Sequence, residues 1–193
     1  MALTIAIVSY LLGSIPTGYL FGALVGVDVR KTGSGNIGAT NVARTVGKGR
    51  GAATLLADAG KGFIPAYVAV YLGLAQSAVA IIGTAAFLGH LYPIFLKFQG
   101  GKGVATALGV LLALAPLAAL ISIVVFAVVI LISRIVSLSS IAAALAAPIS
   151  LWLLSYPATY IVLGTFLATM IILRHRGNIQ RLLAGTEPRI GSR

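Results

Sequence analysis

Apolar residues run through this chain in long stretches, 3–27, 52–74, 77–95, 104–132, 138–154 and 156–173, separated by short polar segments. A transmembrane helix needs about 20 predominantly apolar residues, so every stretch is read as helix and none as strand. The stretch 104–132 exceeds one straight span and carries Pro116 near its middle. Proline removes a backbone donor and clashes with the preceding turn, so the break falls there and leaves two short spans, 104–115 and 116–132. The first would rise only ~18 Å at ~1.5 Å per residue, which requires local bilayer thinning or burial among neighbours. A single long kinked helix is the alternative. Gly18, Gly22 and Gly26 recur at the GxxxG spacing that allows close helix contact, within one molecule or between copies.

The cations fix the direction of these spans. Of 14 Lys and Arg residues, all but Lys61 fall in four gaps: 28–50, 97–102, Arg134 and the tail after Leu173. The remaining connections, around 73–76, Pro116 and 155–157, carry no charged side chain. Cytoplasmic loops hold the excess Lys and Arg, and the break at Pro116 puts all four basic gaps on one face. The predicted fold is therefore all-α: a polytopic membrane helix bundle of seven transmembrane helices, N-terminus outside and C-terminus in the cytoplasm. Residues 1–193 form one membrane domain. No basic segment precedes the first stretch, so it reads as a retained span and not a cleaved signal.

Composition narrows the chemistry. Hydrophobic residues make up 59% and charged residues 9%, against about 25% charged in soluble domains. The net charge of +11 points to anionic headgroups or a phosphorylated substrate and not to nucleic acid, because the surface of a soluble binder is missing. With no cysteine, disulfides, thiol nucleophiles and thiolate metal sites are excluded.

Three polar segments carry the candidate chemistry. The first, 31–44, holds Ser34, Asn36, Thr40, Asn41 and Arg44. Its Gly33, Gly35 and Gly38 match G-x-G-x-x-G, but a dinucleotide site needs a preceding strand, and here a membrane helix precedes it. A flexible connector is the plain reading, although this one has more hydrogen-bonding capacity than a connector requires. The second is Gln99-Gly100-Gly101-Lys102-Gly103, directly before an apolar helix. Glycine amides and a helix start can face an anion, and Lys102 adds a full charge. Gly103 stands where a Walker A loop needs Ser or Thr. The third, 174–187, holds His175, Asn178 and Glu187 among three arginines, Arg174, Arg176 and Arg181, of a basic tail; lipid anchoring by that tail is the plain alternative. His90, beside Tyr92 and Pro93, reads as structural. Lys61 lies about two turns into its helix, where ionisable groups face the bundle interior and are paired. Asp58, three residues earlier, is its expected partner, and a structural ion pair or a substrate contact fits equally.

This inventory holds cations, amides, a hydroxyl and a histidine, but only Asp28, Asp58 and Glu187 as carboxylates. That count argues against two-carboxylate catalysis and against a divalent metal held by acidic residues. An anionic, already activated substrate suits such a site, which positions it and neutralises charge. A transporter of small phosphorylated anions is the rival class, but transporters bind near the midplane, and here the polar groups gather at one face.

The three motifs, in this order, resemble the bacterial acyl-phosphate:glycerol-3-phosphate acyltransferases: Gly33 to Asn41 with Arg44, Gly100 to Gly103, and His175-Arg176 with Asn178-Ile179, Arg181, Gly185 and Glu187. Asp58-Ala59-Gly60-Lys61-Gly62 also suits that family's second helix. The resemblance implies a multi-pass enzyme of phospholipid synthesis in the cell inner membrane, N-terminus periplasmic and active site facing the cytoplasm. It implies acyl transfer from fatty acyl phosphate to the 1-hydroxyl of glycerol 3-phosphate, giving lysophosphatidic acid and phosphate, with no cofactor or metal. Gly100, Gly101, Lys102 and Gly103 correspond to its glycerol 3-phosphate loop, Ser34, Arg44, His175 and Asn178 to its functional residues, and Glu187 to a residue of structural integrity. On the residues alone, Lys102 and Arg44 hold phosphates, with Asn36, Thr40, Asn41 and Lys61 as further substrate contacts and Asp58 as support. Ser34 and Asn178 face the acyl carbonyl. Either His175 or a substrate phosphate oxygen takes the proton.

Overall fold

The computed structural model describes residues 1–191 and is helical throughout, with no strand among them; Arg193, the last cation of the predicted basic tail, lies outside the described residues. Two compact units follow one another, the first from Met1 to Leu114 and the second from Ala115 onward.

The first unit contains α1 (Ala2–Ser14), α2 (Thr17–Ala23), α3 (Ala39–Thr45), α4 (Lys48–Tyr71), α5 (Gln76–Leu91), a short 3-10 turn (Ile94–Leu96) and α6 (Val104–Leu114). α4 packs on α6 and α1 on α5. Small residues allow both approaches: a Cβ on Gly62 would overlap the Thr106 carbonyl oxygen, and one on Gly13 would overlap that of Ala86.

The first apolar stretch is not one continuous helix. Ile15 is extended (φ −60°, ψ 115°) and Pro16 follows it. A residue before proline is driven out of the helical region, and α2 restarts at Thr17. The glycine repeat also serves a purpose other than the expected helix pairing. Gly18 lies against the Ile37 carbonyl and Val42, and Gly22 against Val27 and Val29, so both face the polar segment that follows. Gly26 lies beyond α2 at φ +75° with nothing within 4 Å of its would-be Cβ.

The stretch 104–132 does break, at Ala115 (φ −149°, ψ 68°), with Pro116 opening the next helix. The second unit contains α7 (Pro116–Ser133), α8 (Val136–Leu153), α9 (Ala158–Arg174) and α10 (Arg176–Leu183). α8 packs on α7 and on α9. Its inward residues include Ala143, Ala144 and Ala147, while Leu120, Val124 and Leu131 of α7 are exposed, as a lipid-facing helix requires. α9 and α10 meet at a 60° bend.

By length and composition, four helical segments among the described residues can each cross a bilayer, Ala2–Ala23, Gln76–Leu96, Pro116–Ser133 and Val136–Leu153, or five if the bent pair α9–α10 is one span. The other two expected spans fall short for separate reasons. α4 carries Asp58 and Lys61 in its interior, and α6 has only 11 residues.

Candidate functional site

Each unit carries its own cluster of polar side chains. In the first unit, the segment after α2 folds over a small apolar core of Val29, Ile37 and Val42, packed by Tyr19, Val27, Val46 and Leu96. Arg30 pins the near end. Its Nε and Nη2 donate to the two Asp28 carboxylate oxygens at 2.9 and 2.8 Å, and its guanidinium stacks 4.5 Å from the Tyr19 ring centre. That hydrogen-bonded guanidinium lowers the Asp28 carboxyl to about 2.

Asn41 closes the loop. Its Oδ1 accepts the Ser34 N–H at 2.8 Å, and its Nδ2 donates to the Val29 and Thr32 carbonyls at 2.9 and 3.0 Å. Both amide hydrogens are thus committed to the loop backbone, so Asn41, expected among the substrate contacts, is seen here as the residue that shapes the loop. Gly33 sits at φ +61° against the Asn41 amide oxygen, where a Cβ has no room. Asn36 Oδ1 accepts the Gly38 N–H at 2.7 Å, an Asx-type turn that leads into α3. Ser34, Thr40 and Arg44 are exposed; Thr40 and Arg44, four apart on α3, share one helix face.

The Gly100–Gly103 segment does not present its first two amides outward, as expected for an anion cradle. The Gly100 N–H donates to the Leu91 carbonyl at 3.2 Å and the Gly101 N–H to the His90 carbonyl at 3.1 Å. These bonds satisfy carbonyls at the end of α5 that would otherwise lack partners. The glycines are there for close approach: a Cβ on Gly101 would enter the His90 imidazole, and one on Gly103 (φ +83°) the Phe87 ring. Lys102 stands between these two contacts, directly before α6.

Below this loop lies a buried polar network. Lys61 Nζ pairs with Asp58 Oδ1 at 2.8 Å and donates to the Ile15 carbonyl, also at 2.8 Å. Thr17 Oγ1 donates to Asp58 Oδ1 at 2.6 Å, and His90 Nδ1 lies 3.6 Å from the same oxygen. The expected Asp58–Lys61 pair is present. Sequence reasoning missed Thr17 and the Ile15 carbonyl, although a Pro-Thr pair inside an apolar stretch was the available signal.

In the second unit, His175 occupies the bend between α9 and α10 and is buried. Its Nδ1 lies 2.8 Å from the Ile171 carbonyl oxygen. A carbonyl only accepts, so Nδ1 carries hydrogen and a neutral ring has its lone pair on Nε2. Asn178 Nδ2 donates to Glu187 Oε1, which also accepts from Ser137 Oγ at 2.7 Å. Arg181 Nε donates to Glu187 Oε2 at 2.7 Å. Partial burial acts to raise the Glu187 carboxyl, but the hydrogen bonds from Ser137, Asn178 and Arg181 and the charge of Arg181 outweigh it and lower it. The Ile190 N–H donates to the Arg134 carbonyl at 2.8 Å, which ties the segment after Glu187 to the α7–α8 connection. Ser137 carried no signal of its own in the sequence, being one of several serines near the start of α8.

Residues 3–185 match the family model described as glycerol-3-phosphate acyltransferase. The chain belongs to the glycerol-3-phosphate acyltransferase family. It is 56% identical over 181 residues to the glycerol-3-phosphate acyltransferase of Geobacter metallireducens, covering 94% of this chain and 93% of that one. To the enzyme of Geotalea daltonii it is 49% identical over 179 residues, covering 93% and 92%. Among solved structures it is similar to PlsY (YgiH), an integral membrane glycerol 3-phosphate acyltransferase. Against its glycerol 3-phosphate form the identity is 47% and the TM-score 0.96, over 98% of this chain and 96% of that chain. Against its lysophosphatidic acid form the identity is 46% and the TM-score 0.93, over 97% and 94%. The resemblance drawn from the three motifs is borne out, and the family member described here is a multi-pass integral membrane protein built as a helical bundle.

Proposed function

We propose that the protein transfers a fatty acyl group from acyl phosphate to the 1-hydroxyl of glycerol 3-phosphate, releasing lysophosphatidic acid and inorganic phosphate. One observation carries this reading: near full-length similarity to a protein solved in both a glycerol 3-phosphate form and a lysophosphatidic acid form, the acceptor and the acylated product of one reaction. The scarcity of carboxylates beside many cations supports an anionic donor that arrives already activated.

In the first unit, Lys102 between Gly101 and Gly103 neutralises the phosphate of glycerol 3-phosphate, and Arg44 holds the acyl phosphate with Thr40 on the same helix face. Asn36 and Asn41 act through the loop that presents Ser34, whose hydroxyl faces the acyl carbonyl as negative charge develops there. Lys61 and Asp58 act from beneath as support. In the second unit, Asn178, oriented by Glu187, is a further candidate donor for the acyl carbonyl oxygen. The acceptor hydroxyl attacks the acyl carbon, the carbon–oxygen bond to phosphate breaks, and phosphate leaves. The hydroxyl proton goes to His175 Nε2, a role that the Nδ1 contact with Ile171 favours, or to a phosphate oxygen of the substrate.

The proposed setting is the cell inner membrane, crossed seven times by a single domain, N-terminus periplasmic and C-terminus cytoplasmic, with the active site toward the cytoplasm. The confinement of nearly all cations to alternate connections supports it.

The test is phosphate release from palmitoyl phosphate by purified protein, with and without glycerol 3-phosphate, beside Lys102→Ala. Release that requires both substrates, yields lysophosphatidic acid and shows a much higher KM for glycerol 3-phosphate in the variant is the expected result. No acyl transfer by well-folded protein overturns the reading.

A further inference from the structure

We propose that His90 is a positioning residue for glycerol 3-phosphate: its imidazole, standing between Asp58 and Gly101, sets the placement of Lys102. The inference rests on the assignment of the Gly100–Gly103 loop to glycerol 3-phosphate given above.

The two faces of this side chain carry the argument. On one side, Nδ1 lies 3.6 Å from Asp58 Oδ1. That oxygen is itself held by Thr17 at 2.6 Å and Lys61 at 2.8 Å, so it is a fixed point. On the other side, Gly101 lies so close that a Cβ there would enter the ring at Nε2 and come within 2.9 Å of Cε1 and 3.1 Å of Cδ2. The main chain repeats the link, since the Gly101 N–H donates to the His90 carbonyl at 3.1 Å.

Lys102 is thereby held at two points on one helix face. Gly101 rests on His90 and Gly103 on Phe87, and residues three apart on a helix lie on the same side. Phe87 is an apolar contact that can slide. His90 makes no hydrogen bond through Nδ1 among the described residues, but that buried nitrogen faces the Asp58 carboxylate at 3.6 Å. Asp58 is bound to Lys61 and Thr17, so the ring seats the loop against α4 as well as against α5.

The composition of the network points the same way. His90 is 3% exposed, Asp58 2% and Lys61 9%, in a segment where ionisable groups are costly and usually functional. A buried ion pair is often no more stabilising than apolar residues of similar volume. Stability alone therefore does not account for three ionisable groups beneath a lysine-bearing loop, whereas a geometric requirement on Lys102 does.

The experiment is steady-state kinetics of His90→Leu in the full-length protein, with both substrates varied, beside thermal unfolding in detergent. The expected result is a KM for glycerol 3-phosphate raised between about tenfold and a hundredfold, the range expected for a group displaced by about 1 Å. The KM for palmitoyl phosphate stays within about twofold of wild type, as binding of the other substrate is untouched. If His90→Leu does not fold, His90→Asn keeps an amide toward Asp58 but removes the ring from Gly101, and carries the same expectation. Gly101→Ala combined with either variant should raise KM no further than the worse single change, because both act through one contact. An unchanged KM for glycerol 3-phosphate, or additive effects in the double variant, overturns the inference. Failure of the wild-type protein to acylate glycerol 3-phosphate defeats instead the functional assignment beneath it.

Discussion

Ser34 hangs from Asn41: the serine backbone N–H donates to the Asn41 amide oxygen at 2.8 Å, across seven residues of chain. The same amide group holds the Val29 and Thr32 carbonyls, so one buried side chain determines where the Ser34 hydroxyl can be. Asn41→Ala removes three hydrogen bonds and leaves the buried Val29 carbonyl without this donor, at a cost of about 1–3 kcal/mol for that group. Thermal unfolding should show a clear loss of stability, and acyl transfer should fall with it although Asn41 need not touch substrate.

Gly18→Ala should damage the same loop from the membrane side. The new Cβ would overlap the Ile37 carbonyl oxygen and lie 2.9 Å from Val42 Cγ2, so backbone must move. Overpacking of this kind costs about 1–3 kcal/mol. Lower folded yield and lower activity are expected; wild-type behaviour in both would mean that α2 does not support the loop.

Lys61→Met leaves Asp58 buried without its cation. Removing one partner of a buried pair costs about 3–5 kcal/mol, and the double variant Asp58→Asn/Lys61→Met should recover part of that loss. A double variant no more stable than Lys61→Met in detergent unfolding would show that the two residues are not coupled.

Glu187 links stability to pH. Its carboxyl ordinarily titrates at 4.5 and is lowered in the fold. A lowered carboxyl stabilises the fold fully above the unfolded value, and the contribution fades as pH falls through the folded value. The wild-type unfolding temperature should therefore drop below pH 4.5 more steeply than that of Glu187→Gln, which lacks the charge. Parallel curves for the two proteins would show that the contacts of Glu187 with Ser137, Asn178 and Arg181 contribute nothing through ionisation.

The absence of cysteine makes the proposed topology directly testable. A single cysteine at exposed Gln76 should react with a membrane-impermeant maleimide in intact cells, and one at exposed Gln99 only after permeabilisation. The reverse pattern would invert the orientation argued from the cations.

Much of this protein was legible from the chain alone because bilayer constraints act on local sequence. Long apolar stretches must close their own backbone hydrogen bonds as helices, and a proline in the middle of a stretch too long for one span marks the break at Ala115, whereas Pro65 and Pro148 are carried inside α4 and α8. The helices and that break therefore follow from stretch length and residue type together. The three motifs in their order likewise led to the family. What the tertiary structure decided concerns groups that meet only when distant segments pack. Lys61 finds the Ile15 carbonyl because Pro16 opens α1, Asn41 turns back to the loop instead of outward, and Ser137 reaches Glu187 fifty residues away. The glycines before Lys102 were legible as a motif, but their seats on His90 and Phe87 were not. A hydrogen bond or a van der Waals contact depends on position to a fraction of an ångström, and that position is set by the whole packed unit, not by the residues on either side in the chain.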